Sequence, residues 1–105
     1  MGCYMIVQAT ITHPERFAQY TAETPRLVSK YGGKYLCIGR NATVLEGDFG
    51  ANTSVVISVW PSRERIHQFW ESEEYQTLKK LRAGTGEFNV TIVDDILPEL
   101  MASKS

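Results

Sequence analysis

Thr53-Ser-Val-Val-Ile-Ser-Val-Trp60, followed at once by Pro61-Ser62, is the stretch on which the fold turns. Its β-branched residues and terminal tryptophan suit a pleated, packed surface, and Pro61 has no N–H with which to extend a ladder. The strand therefore stops at Trp60, and Ser62 stands where a helix N-cap is wanted. Downstream, Ile66, Phe69 and Trp70 recur at helical spacing, and Ser72-Glu-Glu-Tyr75 reads as a second N-cap leading into Leu78 and Leu81, so the helix is broken. Gly84-Thr-Gly86 turns the chain into a last strand over Phe88-Asn-Val-Thr-Ile-Val93.

Upstream, residues 4–11 alternate with Met5, Val7, Ala9 and Ile11 on one side, which predicts the first strand. Thr12-His-Pro-Glu15 has the form of a capping box, with Thr12 as N-cap. The helix that follows carries a stripe of Phe17, Tyr20, Leu27, Val28 and Tyr31, and Pro25 is expected to bend or interrupt it. Gly32-Gly33 ends it. Lys34–Gly39 is a short strand, expected to continue after an irregular turn through Thr43–Glu46, and Gly47–Asn52 is turn-rich.

The order strand, helix, strand, strand, helix, strand predicts an α+β, ferredoxin-like βαββαβ domain over residues 1–97, with 98–105 as a C-terminal tail. Both helices then cover one face of a four-stranded antiparallel sheet. The other face is expected to carry Tyr4, Ile6, Gln8, Thr10, Ser54, Val56, Ser58 and Trp60. Such a half-apolar, uncharged surface calls for a cover, and the simplest is the same face of a second copy, a homodimer closing as a dimeric α/β barrel.

A length of 105 residues allows one domain, and 43% hydrophobic with 22% charged residues describes a chain that folds. The net charge is −1, and no basic run exceeds Lys79-Lys80, which argues against nucleic acid. The N-terminal apolar stretch breaks at Gln8 without a basic region before it, so neither leader nor membrane span is expected, and the cytoplasm is the default location. Cys3 and Cys37 fall on strands that are not neighbours, and free thiols are expected. No phosphate-cradling glycine motif occurs, and no organic cofactor or metal is implied.

Several short motifs at characteristic spacing, Tyr31-Gly-Gly-Lys-Tyr35, Leu45-Glu-Gly47, the strand end Trp60-Pro-Ser62, Phe69-Trp-Glu-Ser-Glu-Glu-Tyr75-Gln and Arg82, resemble the family catalogued as domain of unknown function 1330. The resemblance spans about residues 4–96. It implies a dimeric α/β barrel, the fold shared with cofactor-independent monooxygenases, muconolactone isomerases and haem-handling relatives, and it implies no single reaction. The chain departs from the family pattern at His13, where Asp is usual, at Asp48, where an aromatic is usual, and at Val59, where an acidic residue is usual.

Histidine exchanges protons near neutral pH, which makes His67, at the edge of the stripe of Ile66, Phe69 and Trp70, a candidate general base. The first and third strands are expected to run in the same direction, which would bring His13 and His67 to one end of the sheet. Tyr20, Tyr31, Tyr35, Trp70 and Tyr75 combine apolar faces with polar tips, suited to orienting an oxygenated ligand. Arg40, Glu46 and Arg82 fall near strand ends, where an arginine holds a carboxylate or enolate and a desolvated glutamate serves as base. The residues assigned to catalysis are His67, Tyr20, Arg40 and Glu46, and those assigned to substrate binding are Tyr35, Trp70, Tyr75, Arg82 and His13. Together they suggest a cofactor-independent isomerase, lyase or monooxygenase acting on an oxygenated or aromatic small molecule by proton abstraction. The alternative is a small-molecule-binding dimer without turnover.

Overall fold

The structure is a computed structural model and describes residues 2–102. Strand β1 (Cys3–Ile11) leads into helix α1 (Pro14–Lys30), strands β2 (Lys34–Gly39) and β3 (Ser54–Trp60), helices α2 (Arg63–Glu71) and α3 (Glu73–Lys79), strand β4 (Gly86–Asp94) and a short helix α4 (Leu97–Ala102). A 3-10 turn over Lys80–Arg82 joins α3 to β4. All pairings in the sheet are antiparallel, in the order β2-β3-β1-β4. This is the α+β, ferredoxin-like arrangement that the strand and helix order implies. Among the described residues no helix is long and apolar enough to cross a membrane.

The register of β3 reverses the expected facing. Trp60 lies opposite Cys3 and Ser58 opposite Met5, so Ser54, Val56, Ser58 and Trp60 share the helix-covered face rather than the open one. Residues directly opposite in a ladder point the same way, and Cys3, Met5, Ser58 and Trp60 are all buried. The reason is the indole: Trp60 Nε1 donates to Ser58 Oγ at 2.9 Å, and the ring packs on Phe69 with centroids 5.0 Å apart. The open face receives Val55, Ile57 and Val59 beside Tyr4, Ile6 and Gln8, which makes it more apolar than the sequence alone suggests. Cys3 is buried and Cys37 exposed, and neither forms a disulfide.

Local chemistry explains the helix ends. Ser62 Oγ accepts from Arg65 N–H and Ser72 Oγ from Tyr75 N–H, so the two expected caps form and the helix is broken between them. At α1 the expected Thr12 cap does not form. His13 occupies the N-cap position without a side-chain bond, and the N–H groups of Thr12 and His13 both donate to the Thr85 carbonyl instead. The helix also runs unbroken through Pro25. It ends where Gly32, at φ +92°, lets Gly33 N–H reach back to the Val28 carbonyl at 2.9 Å.

Thr43–Glu46 do not extend β2. Bonds of Ala42 with Asn52 and Thr53 close the loop at its base, and the four positive-φ residues Asn41, Gly47, Gly50 and Asn52 turn the chain away from any partner strand. The tail expected from residue 98 is partly helical, α4 beginning with Leu97 N–H donating to Asp95 Oδ1, and residues 103–105 lie outside the described residues.

At Gly33 a Cβ would stand 2.7 Å from the Trp60 ring and 2.8 Å from Val28 Cγ1. Gly33→Ala is expected to cost about 1–3 kcal/mol by overpacking. Thermal unfolding should show this as a loss of roughly 4–8 °C per kcal/mol for a domain of this size; an unchanged melting temperature would contradict the packing of Trp60.

Candidate functional site

Two phenols form the centre of the polar-tipped aromatic cluster. Tyr20 enters from the apolar stripe of α1 and Tyr75 from the first turn of α3, and their hydroxyl oxygens lie 2.8 Å apart in a buried hydrogen bond. The Ser72 cap fixes where α3 starts and so aims Tyr75 inward, where its ring packs 4.4 Å from Phe69 and 5.1 Å from Trp70, centroid to centroid. Tyr35, opposite Ser58 on β2, is the third phenol of the group. Burial, helped by the neighbouring Tyr20, pushes the Tyr35 phenol up to about 12. Burial also pushes Tyr75 well above the ordinary tyrosine range, with Tyr20 beside it adding and the Arg82 charge opposing. Tyr35 and Tyr75 therefore stay protonated near neutral pH and act as hydrogen-bond donors rather than bases.

Arg82 completes the cluster. The residue is half-buried, and its guanidinium carbon lies 4.5 Å from the Phe88 ring centre, 5.6 Å from that of Tyr20 and 5.9 Å from that of Trp70. Such faces attract a cation by about 0.5–2 kcal/mol each, depending on desolvation. They satisfy none of its N–H donors. Among the described residues the Arg82 guanidinium forms no ion pair and donates no hydrogen bond, unlike those of Arg26 and Arg63, which meet carboxylates, and of Arg16, which donates to the Ala83 carbonyl. A planar fork of donors set among aromatic faces is suited to the oxygens of a carboxylate or enolate carried on an aromatic ring.

The structure thus gathers Tyr20, Tyr35, Trp70, Tyr75 and Arg82. It does not bring the other four candidates to them. Since β1 and β3 are antiparallel, the shared direction expected of them is wrong: His13, after the end of β1, and His67, just beyond the end of β3, lie at opposite ends of the sheet. His67 is exposed on α2, its Nδ1 3.8 Å from Glu71 Oε2, and borders a shallow hollow of about 740 Å³ with Tyr31, Glu64, Gln68 and Ser72. His13 is exposed at the head of α1. Arg40 and Glu46 are exposed on the loop between β2 and β3, with no ion pair among the described residues. A second hollow of about 510 Å³, between α1 and α3 around Glu23, Leu27, Thr77 and Leu81, like the first is not lined by Tyr20, Tyr35 or Tyr75. No three His, Cys, Asp or Glu side chains among the described residues converge to hold a metal ion.

Phe88 escaped the sequence reading, because an aromatic in a strand carries no mark of the arginine that will lie over it. Thr85 escaped as well, although its place between Gly84 and Gly86 signals a tightly held turn.

A four-stranded antiparallel sheet in the order β2-β3-β1-β4, with α1, α2 and α3 on one face, defines a ferredoxin-like α+β protein. The chain belongs to the family described as domain of unknown function DUF1330, whose model matches residues 2–96. A search of curated proteins returned no match. Among solved structures, a protein of unknown function from Rhodopseudomonas palustris is 17% identical with a TM-score of 0.74, the match covering 90% of this chain and 82% of that one. A dimeric ferredoxin-like protein of unknown function from Jannaschia is 10% identical with a TM-score of 0.70, covering 90% of this chain and 100% of that one. SnoaB, a cofactor-independent oxygenase from Streptomyces nogalater, is 14% identical with a TM-score of 0.64, covering 90% and 92%. At these identities the likeness is one of fold.

Because burial holds the Tyr35 phenol near 12 while tyrosine in the unfolded chain ionises at about 10, the folded state binds more protons between those values. The contribution of Tyr35 to stability is therefore expected to be constant below about pH 10 and to fall as pH rises from there towards 12. Ultraviolet difference titration of wild type and Tyr35→Phe checks this: the variant should lack one late-titrating phenol. A tyrosine titration complete near pH 10 in the folded protein would refute the buried cluster.

Proposed function

We propose that the chain is a small-molecule enzyme of the cofactor-independent kind, in which Arg82 holds the carboxylate or enolate oxygen of an aromatic carbonyl compound. The O–H of the Tyr20–Tyr75 pair that is not spent within the pair, together with that of Tyr35, stabilises the negative charge that develops on the enolate oxygen when a solvent water or hydroxide takes the proton of the neighbouring carbon. Isomerisation, elimination and reaction with oxygen all begin with that proton loss. The observation that carries this reading is a half-buried arginine, framed by three aromatic rings and without a carboxylate partner, beside a hydrogen-bonded phenol pair. That the oxygenase SnoaB has the same fold supports chemistry without a cofactor on such a frame.

Binding without turnover is the second reading. It is favoured by the position of His67 and His13 outside the cluster, which among the described residues leaves no histidine near the phenols to take up a proton.

The working unit in this reading is a homodimer in the cytoplasm, where two unpaired thiols persist. Val55, Ile57 and Val59 with Tyr4 and Ile6 give the open face the apolar character of a surface that a second copy covers. The dimeric Jannaschia protein supports it. Light scattering is expected to give twice the mass of one chain, and Ile57→Lys to reduce it to one chain with unchanged circular dichroism. A wild-type mass of one chain would remove the dimer.

Salicylate and its neutral amide, salicylamide, test the site through Trp70 fluorescence. Salicylate is expected to bind more tightly than the amide, and Arg82→Gln to weaken salicylate at least about tenfold, as loss of a charge-assisted hydrogen bond implies. His67→Gln should leave both unchanged. Equal affinity for acid and amide would sink the anion site. Turnover is tested by solvent deuterium wash-in at the methyl carbon of ortho-hydroxyacetophenone: catalysed exchange supports the enzyme, and binding without exchange supports the second reading.

A further inference from the structure

The segment that carries Arg82 into β4 is held by more bonds than its length requires. Thr85 is fully buried, and its N–H and Oγ1 both donate to the Arg82 carbonyl, at 3.0 Å and 2.5 Å. The Thr85 carbonyl in turn accepts from the N–H groups of Thr12 and His13, at 2.8 Å and 3.0 Å, which ties the segment to the junction of β1 and α1. Arg16 Nη2 reaches across from the first turns of α1 to the Ala83 carbonyl at 3.0 Å. Gly84 turns the chain at φ +75°, and a Cβ at Gly86 would fall on the Thr10 carbonyl oxygen. Every carbonyl from Arg82 to Thr85 that these bonds engage is thus tied to α1 and β4, the elements that carry Tyr20 and Phe88, two of the rings near the guanidinium.

Such a clasp is unneeded for closing a turn, which a glycine and one backbone bond accomplish. It does restrict where the Arg82 side chain starts. A guanidinium with no hydrogen-bonding protein partner has only its backbone anchor and the aromatic faces to hold it. We infer that Thr85 is a positioning residue for Arg82, assisted by Arg16: the pair of hydrogen bonds that Thr85 donates to the Arg82 carbonyl sets the register in which the guanidinium meets a ligand's oxyanion. This rests on the anion-binding reading of Arg82 proposed above.

The readout is the ratio of the salicylamide and salicylate dissociation constants, which reports the placement of the Arg82 charge and is insensitive to a general loss of stability. Thr85→Val keeps the volume and removes the Oγ1 donor. It is expected to narrow the ratio about fivefold, the size of one lost hydrogen bond. Thr85→Ser retains the donor and should keep the wild-type ratio. Arg16→Met removes the bond to Ala83 at an exposed position and is expected to narrow the ratio about threefold; it decides the matter if Thr85→Val does not fold. An unchanged ratio in these variants, with Arg82→Gln still losing salicylate, overturns the positioning role alone. If Arg82→Gln leaves the ratio unchanged, or the wild-type chain does not bind salicylate, the reading of the site falls and the inference with it.

Discussion

Burial of the Trp60 indole is the constraint around which the rest of the molecule is arranged. A tryptophan at the end of a strand must place a large ring and one N–H donor, and an unmet donor in the core costs about 1–3 kcal/mol. Ser58, two residues earlier and therefore on the same face, meets it. The ring then demands room, which Gly33 supplies by having no side chain, and a partner, which Phe69 supplies from α2. The end of α1, the start of β2 and the seat of α2 are all set by that one ring. The facing of β3 follows too, because a serine that serves the indole must point inward, leaving Val55, Ile57 and Val59 to the other side.

The same economy governs the aromatic cluster. Tyr20 and Tyr75 are buried at the price of a hydrogen bond to each other, so neither hydroxyl is stranded, and among the described residues no buried side-chain polar atom lacks a partner. Arg82 is the exception in kind: a charge whose surroundings are favourable in orientation and incomplete in hydrogen bonding. Aromatic faces hold a cation without neutralising it. The result is a fixed positive charge next to fixed phenol donors, which is what stabilisation of an oxyanion requires.

Much of this was legible in the residues. Ser62 and Ser72 announce the broken helix because a cap is a local bond between a side chain and the next turn, independent of the rest of the fold. Gly32-Gly33 announces the end of α1 for a similar reason. Thr12 misled, because its backbone N–H is used by the Thr85 carbonyl, a partner far away in sequence. The facing of β3 misled because both of its faces are acceptable to a core by hydropathy, and the choice between them belongs to register. The aromatic and arginine members of the cluster were identifiable by type. That His67, His13, Arg40 and Glu46 stand elsewhere was not, since separation in space has no local signature.

What the sequence by itself determined is the order of the four strands and of the helices between them, and hence the α+β class, because hydrophobic period, caps and glycine stops act over a few residues. Which face of β3 is covered, which ends of the sheet hold the two histidines, and which ring lies over Arg82 were decided only by the tertiary structure. Each depends on strand direction and register, and these are settled by how whole elements pack around Trp60 rather than by any residue's own preference.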